Sequence, residues 1–191
     1  MPSPEGRRET SPEGRRALRE VARAAVARGA REGRELEVDV RCFAVELRAP
    51  GAAFVTLRRG GELRGCTGSV EAVRPLVEDV ARSAYRAARC DPRFAPIDPA
   101  ELALLELRIS LLGGLEPLPA GSEAELVARL RPGVDGLVLR EGERSATFLP
   151  AVWQSLPEPG QFLRELRRKA GLAPEHWSET LRFERYPVEE F

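Results

Sequence analysis

The sequence is poor in the side chains that most often bind metals or perform catalysis. Its 191 residues include one histidine, His176, and three scattered cysteines, Cys42, Cys66 and Cys90. Zinc sites need closely spaced cysteines or several histidines, and disulfide frameworks need several paired cysteines. A serine-hydrolase triad would have to use the one histidine. We therefore expect no metal, no cofactor and no disulfide network.

Net charge and long apolar runs are also absent. Lysine plus arginine and aspartate plus glutamate each number 30, so the formal net charge is zero, and nonspecific capture of nucleic acid is not expected. No apolar run approaches the roughly 20 residues that span a bilayer, and the first residues lack the apolar stretch of a secretory signal. We expect a cytoplasmic protein that binds neither membrane nor nucleic acid.

The chain does contain enough hydrophobic residues, 42%, to build a core. The hexapeptide SPEGRR occurs twice near the start. The first copy predicts a disordered tail over residues 1–10. The second predicts a helix with Ser11 as its N-cap, Pro12 in its first turn and Gly29 at its end.

Alternating apolar residues predict strands in the first half of the chain. VRCFAVEL (40–47) reads as an extended run, which places Cys42 in the core, and AFVTLRR (53–59) forms a hairpin with ELRGC through the glycines at 60–61. Three further elements are expected: a helix from Pro75, a proline-rich loop over 90–99 and a strand over 102–112.

A break over GGLEPLPAG (113–121) precedes the second half. Beyond it we predict a capping box formed by Ser122 and Glu125, and a hairpin around Glu141 and Gly142. An amphipathic helix over 160–172 and a last strand over 180–188 complete the second half. Arg164, Arg167, Arg168 and Lys169 are expected on a solvated helix face. Strands joined by hairpins and long loops indicate an α+β fold, a mainly antiparallel sheet flanked by helices.

Cys66 stands between two glycines in GGELRGCTGS (60–69), and the spacing permits two interpretations. In a turn made by Gly65 and Gly68, with Arg64 on the same face, the thiol is a candidate nucleophile and the backbone N–H groups form an anion site. In the second interpretation, the thiol fills a small apolar gap and Arg64 forms a surface ion pair. The sequence leaves both interpretations open.

Two other candidates lie outside this segment. In DPRF (91–94), Asp91 either caps a turn whose φ is fixed by Pro92, or Arg93 presents its planar fork to a carboxylate or phosphate. Lys169 stands just before the helix end at Gly171, a position that favours lysine whatever its function.

Several stretches together resemble the AMMECR domain family, known in prokaryotes as AmmeMemoRadiSam system protein A. They are FVTL, GELRGCTG, PL, DPRF, LELRISLL, DGLVL, TFLPAVW, FLRELRRKAGL and Trp177, in the family's order over residues 12–186. The resemblance implies a single domain over 11–191, built of two α+β subdomains with a cleft between them. It also implies Memo-type and radical SAM proteins as partners, and it leaves the biochemical activity and the oligomeric state open.

The resemblance places the candidate site at its shared polar residues. It carries over Cys66 and Lys169 as candidate catalytic residues, and the candidates for substrate binding are Arg64, Gly65, Gly68, Asp91, Arg93 and Trp153. The chain departs from the family at Thr67, usually isoleucine, and at Ala151, often glutamine. We expect a cleft around the LRGC turn that binds or processes a small anionic or peptide-like substrate. The alternative is a noncatalytic binding or adaptor module, so enzymatic activity is left open.

Overall fold

The chain folds into two units, each with its own four-stranded sheet. In the computed structural model, which describes residues 10–191, one unit runs to Leu112 and includes Glu189–Phe191, and the other is Gly113–Val188. The predicted tail over 1–10 lies outside the described residues except for Thr10, which is buried and hydrogen-bonds to Glu189. The cleft expected between two subdomains stays a prediction.

Five α-helices are interspersed with eight strands along the described residues. The α-helices are α1 (Pro12–Glu32), α2 (Val45–Arg48), α3 (Leu76–Arg89), α4 (Glu123–Arg129) and α5 (Pro159–Lys169). The strands are β1 (Ala52–Arg59), β2 (Glu62–Gly68), β3 (Leu105–Leu112), β4 (Glu116–Pro117), β5 (Gly136–Glu141), β6 (Arg144–Phe148), β7 (Arg182–Tyr186) and β8 (Val188–Glu190). Short 3₁₀ helices cover Val40–Cys42, Pro99–Leu104 and Pro150–Gln154. Among the described residues, no helix is long and apolar enough to cross a membrane.

The sheet of the first unit has the strand order β2-β1-β3-β8, and β1 pairs antiparallel with both β2 and β3. Alternate residues of β1 and β3, among them Val55, Leu57 and Ile109, join one apolar core with residues of α1 and α3 such as Leu18 and Val80. The two helices therefore cover one face of this sheet. The α+β class expected from the sequence is confirmed.

The first helix begins as predicted and ends one turn later than predicted. Ser11 accepts a hydrogen bond from the N–H of Gly14, and Pro12 is the first helical residue. The helix continues through Gly29 to Glu32, and Gly33, with a φ of 68°, closes it. Gly29 is buried inside the helix because its missing side chain lets Tyr85 of α3 approach.

The extended run predicted over 40–47 is wrong, and so is the core position of Cys42. The carboxylate of Asp39 accepts from the N–H of Arg41 and caps a 3₁₀ turn there. Cys42 is exposed, and Val45 is 71% exposed. A local side-chain cap thus overrides the alternating pattern.

The hairpin of β1 and β2 is confirmed, but its register contains a β-bulge. Gly60 and Gly61 both have positive φ, 58° and 83°, as a tight two-residue hairpin turn requires. The pairing then skips Arg64, because Arg58 stands opposite Leu63 while the next pair is Leu57 with Gly65.

The LRGC segment lies within β2, so its description as a turn is wrong. Neither Gly65 nor Gly68 has a positive φ. A Cβ on Gly65 would overlap the carbonyl oxygen of Ala87 in α3, and one on Gly68 would overlap the backbone of Ala53 in β1. The two glycines allow close backbone packing rather than a sharp reversal of the chain.

The second unit has the strand order β4-β7-β5-β6, and its core packs α4 and α5 against this sheet. The predicted hairpin is confirmed, with Gly142 at a φ of 57° between β5 and β6. Ser122 caps α4 as expected, whereas Glu125 accepts from the N–H of Gly121 instead of closing the capping box on Ser122.

Arg167 contradicts the solvated helix face predicted for the end of α5. Its side chain is 0% exposed and donates to the carbonyl of Pro174 and to Glu123. The guanidinium lies 5.7 Å from the centre of the Trp177 ring, and its Nε and Nη2 have no hydrogen-bond partner. This arginine therefore ties α5 to α4 and to the loop that follows α5.

We expect Gly65→Ala to destabilise the protein by at least about 2 kcal/mol, because the added methyl group meets helix backbone that cannot rotate away. Chemical denaturation followed by circular dichroism measures the loss.

Gly114→Ala is the matched control for this substitution. An added Cβ at Gly114 meets nothing within 4 Å, and its φ is not positive. An equal loss of stability in both variants would contradict the role assigned to the contact between β2 and α3.

Candidate functional site

The backbone of Cys66 is held by two side chains from the DPRF loop. Its N–H donates to Asp91 Oδ2 at 2.9 Å, and its carbonyl accepts from Arg93 Nη2 at 3.3 Å. Cys66 lies on β2, which is an edge strand of its sheet. The loop therefore satisfies edge groups that would otherwise be open to another strand. We call Asp91, Arg93 and the backbone of Cys66 the edge clamp.

Asp91 and Arg93 form a closely bonded pair within the clamp. Arg93 donates to the Asp91 carboxylate through Nε at 2.9 Å, through Nη2 at 2.7 Å and through its backbone N–H at 3.2 Å. Asp91 is buried, and the bonded guanidinium lowers the pKa of its carboxyl to about 2. Asp91 thus caps the turn, and the guanidinium of Arg93 binds the carboxylate of Asp91 itself.

The Cys66 side chain lies on the face of the sheet opposite α1 and α3. Its register partner is Thr56, whose hydroxyl lies 3.3 Å from Sγ, and the partner of Thr56 on β3 is Arg108. Arg108 is 59% exposed and pairs with Glu190 at 3.0 Å. A thiol, a hydroxyl, a guanidinium and a carboxylate thus form a polar row across the four strands.

Arg93 places an accessible positive charge beside Cys66. Its side chain is 54% exposed although it forms the clamp. The hydrogen bond to Asp91 is the main reason that the pKa of the guanidinium is raised, and attraction to Cys66 adds to it. This arginine can therefore hold its own carboxylate and still face a ligand.

Arg64 is directed at Glu101 and not at the thiol. It donates to both carboxylate oxygens of Glu101 at 3.0 and 2.9 Å, and to the carbonyls of Ala95 and Pro96 at 2.7 and 3.3 Å. The bonds from Arg64 to the Glu101 carboxylate, and after them the bond from the N–H of Asp98, lower the pKa of that carboxyl to about 2. The contacts favour a scaffolding role, in which Arg64 fixes the loop that carries the clamp.

The remaining predicted site residues, Trp153 and Lys169, belong to the second unit. Trp153 is 4% exposed, stacks on Phe162 with ring centres 3.8 Å apart and donates to the carbonyl of Asp135. Lys169 donates to the carbonyl of Thr147 at 2.9 Å. These contacts describe a core residue and a helix-to-strand tie, and a role of either residue in substrate binding or catalysis stays a prediction.

Sequence reasoning missed Thr56, Arg108 and Glu101 as parts of this region. Thr56 depends on the bulge, because the register of the turn, continued without a skip, would pair Cys66 with the core residue Val55. Glu101 had a usable signal, since it follows Asp98 and Pro99 in a capping box that the sequence displays. Arg108 required the order of the strands.

Comparison with known proteins agrees with this architecture. The model of the AMMECR1 family matches residues 19–191. The chain belongs to the AMMECR1 family. Among AMMECR1-type relatives, a protein of Aeropyrum pernix is 39% identical over 166 residues, which cover 82% of this chain and 68% of that protein. A protein of Methanothermobacter thermautotrophicus is 41% identical over 125 residues, 64% of each.

A solved structure shares the fold of this AMMECR1-family chain. The crystal structure of an uncharacterized protein from Pyrococcus horikoshii matches with a TM-score of 0.83 and 32% identity, covering 91% of this chain and 88% of that one. The matched part of this chain covers 68%, 64% and 62% of the first three curated relatives.

Breaking the clamp by Asp91→Asn is expected to lower the free energy of unfolding at pH 7 by about 2 kcal/mol, the order given by the lowered pKa. The low folded-state pKa means that Asp91 stabilises the protein above its unfolded value near 3.8, and that this contribution is lost as pH falls toward about 2. Denaturation midpoints between pH 7 and pH 2 measure both effects, and the variant should lose less stability on acidification.

Asp39→Asn is the matched control in this AMMECR1-family chain. Asp39 holds Arg41 through the same two-residue spacing and similar bonds, of 2.9 and 2.9 Å from the guanidinium, but it is exposed and holds no strand. Little change is expected there. Equal losses of unfolding free energy in Asp91→Asn and Asp39→Asn would show that the aspartate–arginine pair itself, and not its attachment to β2, stabilises the protein.

Proposed function

We propose that the first unit binds a small anionic or peptide-like ligand at the edge clamp and the polar row. The observation that carries the proposal is the accessible guanidinium of Arg93, fixed by Asp91 beside a half-buried thiol. Arg93 donates through Nε and Nη2, and no partner is recorded for its Nη1 within residues 10–191. A planar N–H group of this kind suits a carboxylate or phosphate.

Binding is better supported than nucleophilic catalysis by Cys66. The recorded side-chain contact of the thiol is the Thr56 hydroxyl, which donates to sulfur and is not a base. The histidine, His176, belongs to the second unit, where it contacts Glu141. A nucleophilic thiol needs a neighbouring base or a depressed pKa, so we assign Cys66 first to ligand contact and keep catalysis as the second candidate.

A peptide-like ligand would lie across the face of the sheet instead of extending it. Strand addition requires free backbone N–H and C=O groups at an edge. The edge clamp already occupies both groups of Cys66. The neighbouring Thr56 and Arg108 provide polar contacts on the face itself.

We further propose that the module works with Memo-type and radical SAM proteins, as the family resemblance implies. Lys169 and Trp153 enter this proposal only through the predicted cleft between subdomains. Co-purification of the chain with such partners, compared for the parent and Arg93→Gln, tests whether the clamp side of the first unit contributes to that assembly.

Selective alkylation tests the anion site directly. In a Cys42→Ser, Cys90→Ser background Cys66 is the remaining thiol, because the chain has three cysteines. We expect the ratio of rates for iodoacetate over iodoacetamide to exceed that of a free thiol by about fivefold, which corresponds to about 1 kcal/mol of attraction to the Arg93 cation. Arg93→Gln should abolish the preference, Arg93→Lys should keep most of it, and added salt should reduce it.

The matched control is the variant in which exposed Cys42 is the remaining thiol, beside Arg41 but without a clamp. Its ratio should stay near that of a free thiol. If Cys66 shows no preference for the anionic reagent, or if Arg93→Gln leaves the preference intact while the fold is unchanged by circular dichroism, the proposed anion site is wrong.

A further inference from the structure

A concave site lies on the face of the first unit's sheet opposite the side chain of Cys66. A pocket of about 390 Å³ opens between α1, the sheet and the 3₁₀ helix Pro99–Leu104. Leu57, Leu105 and Leu107 line it from β1 and β3, and Leu102 lines it from the 3₁₀ helix. This volume falls within the range of small-molecule sites. Seven of its nine lining residues are apolar, and two arginines supply the polar part. Cys66 and Arg93 are not among its lining residues.

The helix side of the pocket carries two positive charges. Arg23, Ala27 and Arg31 line it from α1, and their four-residue spacing puts them on one stripe of the helix. Each four-residue step is about 6 Å along the axis. The small Ala27 thus leaves a gap between two long basic side chains at the mouth.

These two arginines differ from other arginines of the same helix. Arg15, Arg16 and Arg28 each pair with a glutamate, at 2.8, 3.0 and 3.2 Å. For Arg23 and Arg31 no hydrogen bond or ion pair is recorded within residues 10–191, and both are exposed. Arg19, the other exposed arginine of α1 without an ion pair in that range, lies over the ring of Phe191 at 5.1 Å. Arg23 and Arg31 can therefore neutralise a charge from outside the chain.

We propose that this pocket binds a soluble amphiphilic anion with a single apolar chain. The chain lies along the leucines of the sheet, and a carboxylate or phosphate at its end pairs with Arg23 or Arg31. The apolar floor disfavours a purely polar anion such as a sugar phosphate, and the two arginines at the rim, which have no ion pair within residues 10–191, disfavour a cationic ligand. A concave pocket of this size suits a small molecule better than a flat membrane surface. The proposal uses none of the residues of the edge clamp and is independent of the function assigned there.

Decanoate is the probe that tests this inference on the full chain. We expect calorimetry to show saturable binding of decanoate with a dissociation constant below about 1 mM. The dissociation constant of decanol, its uncharged analogue, should be about tenfold higher. The double variant Arg23→Gln, Arg31→Gln should weaken decanoate by about tenfold and leave decanol unchanged. Ala27→Phe should fill the mouth and weaken both by about tenfold.

Arg86→Gln serves as the matched control, since Arg86 is an exposed helical arginine that does not line the pocket. It should leave decanoate affinity unchanged. Amide shifts on decanoate addition should cluster at Leu102, Leu105 and Leu107, which locates the site even if one variant folds poorly. Absence of saturable binding, equal affinity in the double variant, or association only with anionic phosphatidylglycerol vesicles would overturn the proposal.

Discussion

The first unit depends on how the outer edge of its sheet is closed. β2 has a partner strand on one side only, and at Cys66 a loop carboxylate and a loop guanidinium take the place of the missing strand. Because the same two groups also bind each other, one set of bonds fixes the loop and the backbone of β2 at Cys66. Arg64 strengthens this attachment from the strand side by holding Glu101 and the carbonyls of the loop. The blocks LRGC and DPRF therefore form one structural element although about 25 residues separate them.

The second unit closes an edge in a similar way. β6 is an edge strand of its sheet, and Lys169, at the end of α5, donates to the carbonyl of Thr147 on that strand. Charged side chains at sheet edges discourage pairing with another chain. Part of the family resemblance thus has a direct physical basis, because DPRF and the block that ends in KAGL each supply a charged group to the backbone of an edge strand.

Local patterns predicted the regular elements well. The glycine pair predicted the hairpin, the Ser11 cap predicted the start of α1, and the helix predicted from Pro75 corresponds to α3. The helix end predicted at Gly29 was wrong because a glycine can either end a helix or make room for a neighbouring side chain. Only the packing of α3 against α1 distinguishes these two roles. The run at 40–47 failed because the cap at Asp39 competes with strand pairing.

The site was harder to predict than the fold, and the bulge at Arg64 explains why. One skipped residue moves Cys66 from the register of Val55, in the core, to that of Thr56, on the opposite face. No spacing of residues in the sequence predicts this β-bulge. The burial of Arg167 was equally hard to predict, because its partner Glu123 comes from a distant segment and Trp177 reaches it only through the fold of the loop after α5.

The edge clamp also separates two kinds of motion. The N–H of Cys66 is bonded to a loop carboxylate and not to a strand, so this amide can open to solvent when the loop lifts, while β1 and β2 remain paired. Its hydrogen exchange therefore becomes faster than that of the ladder amides of β1 and β3 when the loop opens more readily than the sheet unfolds. A ligand that binds only the closed loop would slow exchange at Cys66, and because it binds only the folded state it would also raise the free energy of unfolding on which the ladder amides report.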